Sequence, residues 1–152
     1  MIKLYQFKPA FGLPNASPFC MKVENYLRMA GLQYEIAPHA SHFKAPKGKL
    51  PYIEDGGKVV ADSSFIIEYL KSTYGGALDA KLTPVENAQA VALKRMMEEN
   101  LYWALVYSRW VEPQGWAVTK AEFFKPVSAL LRRQGPLRAA VPCAFPGHTP
   151  SA

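Results

Sequence analysis

Cysteine is scarce. Cys20 and Cys143 are the only two among 152 residues, too few for a disulfide scaffold and in keeping with a reducing compartment. Nowhere do the roughly 18 consecutive apolar residues of a membrane-spanning helix occur, so no membrane span is expected. The opening run Met1-Ile2-Lys3-Leu4-Tyr5-Gln6-Phe7 alternates instead of forming a charged head and an apolar stretch. No secretory signal is read from it, and a cytoplasmic setting is expected. His39, His42 and His148 lack the cysteine or carboxylate spacing of a zinc site, so no metal is expected. Neither a phosphate-binding P-loop nor a dinucleotide glycine pattern is present.

What is present is ordinary globular composition, 49% hydrophobic and 20% charged, which excludes wholesale disorder. The length allows one domain, or one small domain plus a fragment of another. The net charge of +6 invites a nucleic-acid reading, but residues 1–76 and 77–152 each carry nine basic and six acidic side chains. Nucleic-acid binders usually concentrate that charge on one face. The one local cluster, Lys44, Lys47 and Lys49, suits a solvated loop or a small anion better, so no nucleic-acid partner is expected.

Ile2 to Phe7 reads as a strand by alternation. Ser17 is a good N-cap, Pro18 suits the first helical position, and Phe19, Val23, Tyr26, Leu27 and Ala30 mark one helical face up to Gly31. Residues 32–37 form a second strand candidate. Tyr52-Ile53-Glu54 and Lys58-Val59-Val60-Ala61 flank Asp55-Gly56-Gly57 as a hairpin. Asp62 can cap a helix to about Tyr74, with Ile66, Leu70 and Tyr74 on one side. Thr83-Pro84-Val85-Glu86 is a capping box that opens a long helix to about Trp110. Pro113 and Gly115 are expected to close it, and a further helix is expected over 120–133, interrupted at Pro126. The β-α-β, β-β-α order predicts a short mixed sheet with a right-handed first crossover.

Three local signals carry chemistry. Ser17-Pro18-Phe19-Cys20 enters the first helix, Lys49-Leu50-Pro51-Tyr52 puts a proline at a strand entrance, and Asp62-Ser63 opens another helix. Together they resemble the N-terminal domain of the glutathione transferases. The fit is closer still to the branch of that superfamily that includes the metaxins and the failed-axon-connections proteins. Residues 17–24, 26–30, 48–51 and 65–70 carry that match, with 97–103 and 107–110 in the second part, and the resemblance spans roughly residues 1–142.

The resemblance implies a thioredoxin-like α/β domain over 1–76, with a mixed four-stranded sheet and helices. A linker over 77–82, an incomplete all-helical domain over 83–133 and an irregular or disordered tail over 134–152 follow. It implies glutathione as co-substrate. The proline matching Pro51 is cis in the family, which lets Leu50 pair with the cysteinyl amide. Asp62 and Ser63 hold the γ-glutamyl end at a helix start, and Lys49 could meet the glycyl carboxylate.

Ser17 matches the catalytic position. Lowering a thiol pKa from about 8.5 to about 6.5 needs roughly 2.7 kcal/mol. One hydrogen bond to the thiolate supplies about 1.5–3 kcal/mol, and a helix N-terminus roughly 0.3–1 more. A hydroxyl used only as an N-cap is the competing reading. Asn15 is an accessory donor candidate. Cys20, on the side of the second cysteine of a glutaredoxin-type motif, reads better as a structural thiol than as a nucleophile.

Two functions are therefore expected in competition. One is conjugation of glutathione to a small electrophilic substrate. The other is a non-catalytic, metaxin-like module that assembles as a homodimer or with another protein. Complete family members carry a whole helical domain, whose further helices would cover the apolar faces of residues 84–110.

Overall fold

The computed structural model describes residues 1–124 apart from 39, 41 and 77, and leaves out the side chain of His42. The tail expected over 134–152 and most of the helix expected over 120–133 lie outside the described residues. The chain divides into two compact units, Met1–Gln89 and Ala90–Ala152.

In the first unit the elements are β1 (Ile2–Tyr5), α1 (Pro18–Met29), β2 (Tyr34–Ile36), a 3-10 turn (His42–Lys44), β3 (Tyr52–Asp55), β4 (Lys58–Ala61) and α2 (Ser63–Tyr74). The sheet order is β2-β1-β3-β4, with β1 parallel to β2 and antiparallel to β3. This is the mixed four-stranded, thioredoxin-like arrangement. Pairing of Leu4 with Ile53, and of Ile53 with Val60, stacks apolar residues on one face of the pleat. Val23, Tyr26 and Leu27 of α1 and Ile66 and Leu70 of α2 close over that face as a single buried cluster. Each fully buried Leu or Ile is worth about 1.5–3 kcal/mol.

Polar tethers fix how the helices meet the sheet. Tyr69 and Tyr74 both donate to Oδ2 of Asp55, at 3.0 and 2.6 Å, and so bind the end of α2 to β3. The Asp55 hydrogen bond pushes the Tyr74 hydroxyl up to about 12. Tyr74 was expected on the apolar face, but its ring is exposed and only its hydroxyl is anchored. On the β2 side, Glu24 of α1 is buried and accepts from Gln6 Nε2 at 2.7 Å. Its other oxygen takes Arg28 Nη2 at 2.6 Å and the Tyr34 hydroxyl at 3.1 Å.

The helices after α2 correct one boundary. Pro84 opens α3 (Pro84–Met96), with Thr83 N–H on Glu86 Oε2 at 2.8 Å and Glu86 N–H on Thr83 Oγ1 at 3.3 Å, the reciprocal capping box. A π-helical turn over Met97–Leu101 then leads into α4 (Tyr102–Trp110). That wider turn shifts the helical phase, which is why the apolar register of the expected long helix is smeared.

Pro113 does not merely close this helix; it occupies the first turn of α5 (Pro113–Phe123). Gly115 lies inside α5, because a Cβ there would sit 1.8 Å from the Ser108 carbonyl oxygen of α4. The glycine is a contact point between two helices, not a stop.

Glu24 generates a test. Burial opposes its ionisation most strongly, but the hydrogen bonds from Gln6, Arg28 and Tyr34, with the Arg28 charge, hold it below the ordinary glutamate value. A lowered carboxyl contributes stability above the unfolded value of about 4.3, and loses it as pH falls through the folded value. Glu24→Gln should therefore cost about 1–3 kcal/mol in urea unfolding at pH 7. The gap to the parent should narrow as the pH is lowered to about 3. A gap constant across that range would show that the charge of Glu24 contributes nothing.

Candidate functional site

The strand register decides what comes together. Tyr52 pairs with Tyr5 on one side and with Ala61 on the other. The end of β1, the start of β3 and the end of β4 therefore share one edge of the sheet. Pro51 precedes Tyr52 and Asp62 follows Ala61, so the strand entrance and the helix start lie side by side there. The Leu50–Pro51 peptide is cis. Leu50 is buried in a small cluster with Cys20 and Ala45, with Tyr5 and Tyr52 packed against it, which ties the start of α1 to the same edge. The rings of Tyr5 and Tyr52 stack at 4.2 Å beneath it. Lys22 Nζ reaches Ser64 Oγ at 3.3 Å and links α1 to the first turn of α2.

Ser17 is the N-cap of α1, and its Oγ accepts from Cys20 N–H at 3.4 Å, long for such a bond. Capping uses a lone pair of the oxygen, so it does not consume the hydroxyl proton. Cap and donor are therefore compatible roles for one side chain.

Asn15 is fully buried and committed to the framework instead of being offered outward. Its Nδ2 donates to the Phe7 carbonyl at 2.6 Å, and its Oδ1 accepts from Ser17 N–H at 2.9 Å. This clamp fixes where α1 begins. Sequence reading cast it as a donor to sulfur because the partner, Phe7, is a main-chain group that no motif reveals.

Cys20 is buried. Burial pushes its thiol up, against opposing hydrogen bonds from the Phe7 main chain and the Ser17 hydroxyl. The thiol packs with Ala45 and Leu50 in the small buried cluster at the start of α1.

Asp62 and Ser63 divide the work at α2. The Asp62 carboxylate accepts from Ser64 N–H at 2.9 Å as the N-cap, from a backbone with φ of 80°. A non-glycine residue in that region is strained, and such strain collects at functional positions. Ser63 is only 5% exposed at the first helical position. No described residue hydrogen-bonds its hydroxyl or the Leu50 main chain. Lys49 is exposed beside Leu50. The edge thus offers an exposed cation, main-chain groups at Leu50, a helix N-terminus with a hydroxyl, and a second helix N-terminus at Ser17, a set suited to an anionic peptide. Among the described residues, no group of three or more His, Cys, Asp or Glu could hold a metal ion.

The family model described as the glutathione S-transferase N-terminal domain matches residues 18–115. The chain belongs to the glutathione S-transferase superfamily. Isoprene-epoxide–glutathione S-transferase of Rhodococcus sp. is 44% identical over 121 residues, 76% of this chain and 51% of that protein. Failed axon connections of Drosophila melanogaster is 43% identical over 109 residues, 72% of this chain and 26% of that protein. Metaxin-3 of Xenopus laevis is 26% identical over 76% of this chain and 37% of its own length. The chain therefore spans about half, or less, of the length of these relatives. Among solved structures, a glutathione S-transferase from Rhodospirillum rubrum superposes with a TM-score of 0.59 at 20% identity, over 80% of this chain and 60% of that one.

The clamp yields a second test. Asn15→Ala removes both hydrogen bonds and leaves the Phe7 carbonyl and Ser17 N–H short of partners. It should lower the unfolding free energy by about 1–3 kcal/mol. Chemical denaturation reads this directly, and an unchanged midpoint would mean that the loop does not hang on the amide.

Proposed function

We propose that this chain binds glutathione at the shared sheet edge and activates its thiol for attack on a small electrophile. The observation that carries the reading is the pairing of Tyr52 with Ala61, which sets Leu50–Pro51 beside Asp62–Ser63. The Leu50 main chain takes the cysteinyl amide, and Ser63 with the first amides of α2 takes the γ-glutamyl carboxylate. Lys49 meets the glycyl carboxylate. The sulfur then lies at Ser17, whose hydroxyl donates to the thiolate and holds it ionised near neutral pH. The thiolate lone pair forms the new carbon–sulfur bond, while the electrophile opens or expels a leaving group that collects a proton. The relative named for an isoprene epoxide supports epoxides as the first electrophiles to assay.

The likeness to Failed axon connections and Metaxin-3 supports a second reading, a non-catalytic module that assembles with other proteins.

Calorimetric titration of glutathione separates the two, since the module reading requires no heat of binding. Ser63→Ala should weaken binding by about 1–3 kcal/mol, the scale of a hydrogen bond to a charged group. Unchanged affinity would remove Ser63 from the site. Ser17→Ala should raise the thiolate pKa of bound glutathione by about one to two units, followed by ultraviolet absorbance, with far less effect on affinity. A loss of stability without that shift would leave Ser17 as a cap only, and would support the module.

A further inference from the structure

Between two buried anchors, Ala45 and Leu50, each 8% exposed, the chain passes through Pro46, Lys47, Gly48 and Lys49, all exposed. Gly48 N–H donates to the Ala45 carbonyl at 2.9 Å and closes a turn with Pro46 second and Lys47 third. The ring of Pro46 fixes its own φ, and Gly48 takes a φ of 62° that side chains disfavour. The turn is therefore stiff, and it leads directly into Lys49, Leu50 and Pro51.

Three consecutive residues at the start of α2 look in three directions, because helical neighbours stand about 100° apart. Ser63 faces inward. Ser64 meets α1 through Lys22. Phe65 meets the turn, with Lys47 Nζ over its ring, 5.0 Å from the centroid. Phe65 is 55% exposed and lies outside both buried clusters, so the contact with the ammonium is the interaction the structure gives its ring. Residues 36–53 contain no Asp or Glu, and no described ion pair involves Lys47. Among the described residues, no hydrogen bond joins 45–49 to α2, which leaves the ammonium on the ring as the polar link between turn and helix.

We propose that Lys47 is a positioning residue of the glutathione site, a latch whose hold on Phe65 keeps Lys49 and Leu50 at a set distance from Ser63 before the ligand arrives. This role rests on the reading of the sheet edge as a glutathione site. The peptide would meet Lys49 and Leu50 at one end and Ser63 at the other, so its affinity depends on the gap between turn and helix. Holding that gap in the free protein removes an ordering cost that binding would otherwise meet. An exposed cation–π contact is worth a factor of about two to five in an equilibrium, which sets the scale of the effect.

Calorimetric titration of glutathione, with ¹⁵N relaxation on the free protein, tests this on a small set of variants. Phe65→Leu keeps an apolar, helix-favouring side chain but loses the π face. It should weaken glutathione binding by about two- to fivefold and raise the picosecond-to-nanosecond mobility of the Lys47, Gly48 and Lys49 amides. Lys47→Met should do the same, and the double variant should be no worse than either single one, because all three remove one contact. Lys47→Arg should restore both readouts, since a guanidinium also stacks on a ring. Lys44→Met takes the same charge from the same segment and should stay near the parent in both. Equal losses in Lys44→Met and Lys47→Met with Phe65→Leu unchanged would make the effect one of net charge and overturn the latch. Unchanged mobility in Phe65→Leu, or additive losses in the double variant, would overturn it as well. A parent that binds no glutathione would instead overturn the glutathione reading, and the positioning role with it; the mobility data on the free protein then decide alone whether the latch exists.

Discussion

The double pairing of Tyr52, with Tyr5 on one side and Ala61 on the other, is the constraint on which the rest of the first unit depends. A strand register has a period of two, so a slip by one residue would turn Leu4, Ile53 and Val60 away from α1 and α2. The same slip would part Pro51 from Asp62. Core and site are therefore specified by one alignment, and neither can be changed without the other. The stacked rings of Tyr5 and Tyr52 and the Tyr5 hydroxyl on Glu54 at 3.0 Å add cross-strand specificity to it.

Buried polar groups then do what apolar packing cannot. Hydrophobic burial is non-directional, and it would let α1 slide or rotate on the sheet. The Asn15 amide sets where α1 starts, Glu24 sets its rotation toward β2, and the two tyrosines on Asp55 anchor the far end of α2. With both helices held at fixed points, their N-termini meet the sheet edge together.

Local chemistry was readable from sequence wherever its partners are a few residues apart. Ser17-Pro18, the Asp62 cap and the Thr83–Glu86 box each satisfy their own neighbours, so the residue types alone locate the helix starts. What stayed hidden depends on groups distant in the chain. Nothing near Glu24 tells that Gln6, 18 positions earlier, comes to meet it in the interior. Pro113 and Gly115 read as punctuation because both break helices in isolation, yet one starts α5 and the other clears the Ser108 carbonyl. The strain at Asp62 was equally silent, since aspartate caps are common with ordinary backbones.

The π turn at Met97–Leu101 bears on how this second unit can vary. Successive residues of an α-helix are set about 100° apart around its axis. Such a turn holds one residue more than an α-helical turn. Deleting a single residue from it would restore even winding and keep every side chain of α4 intact. It would also swing Tyr102, Trp103, Tyr107 and Trp110 together to a different bearing. The aromatic group of α4 is in this sense mounted on a dial, and its direction can be inherited separately from its composition.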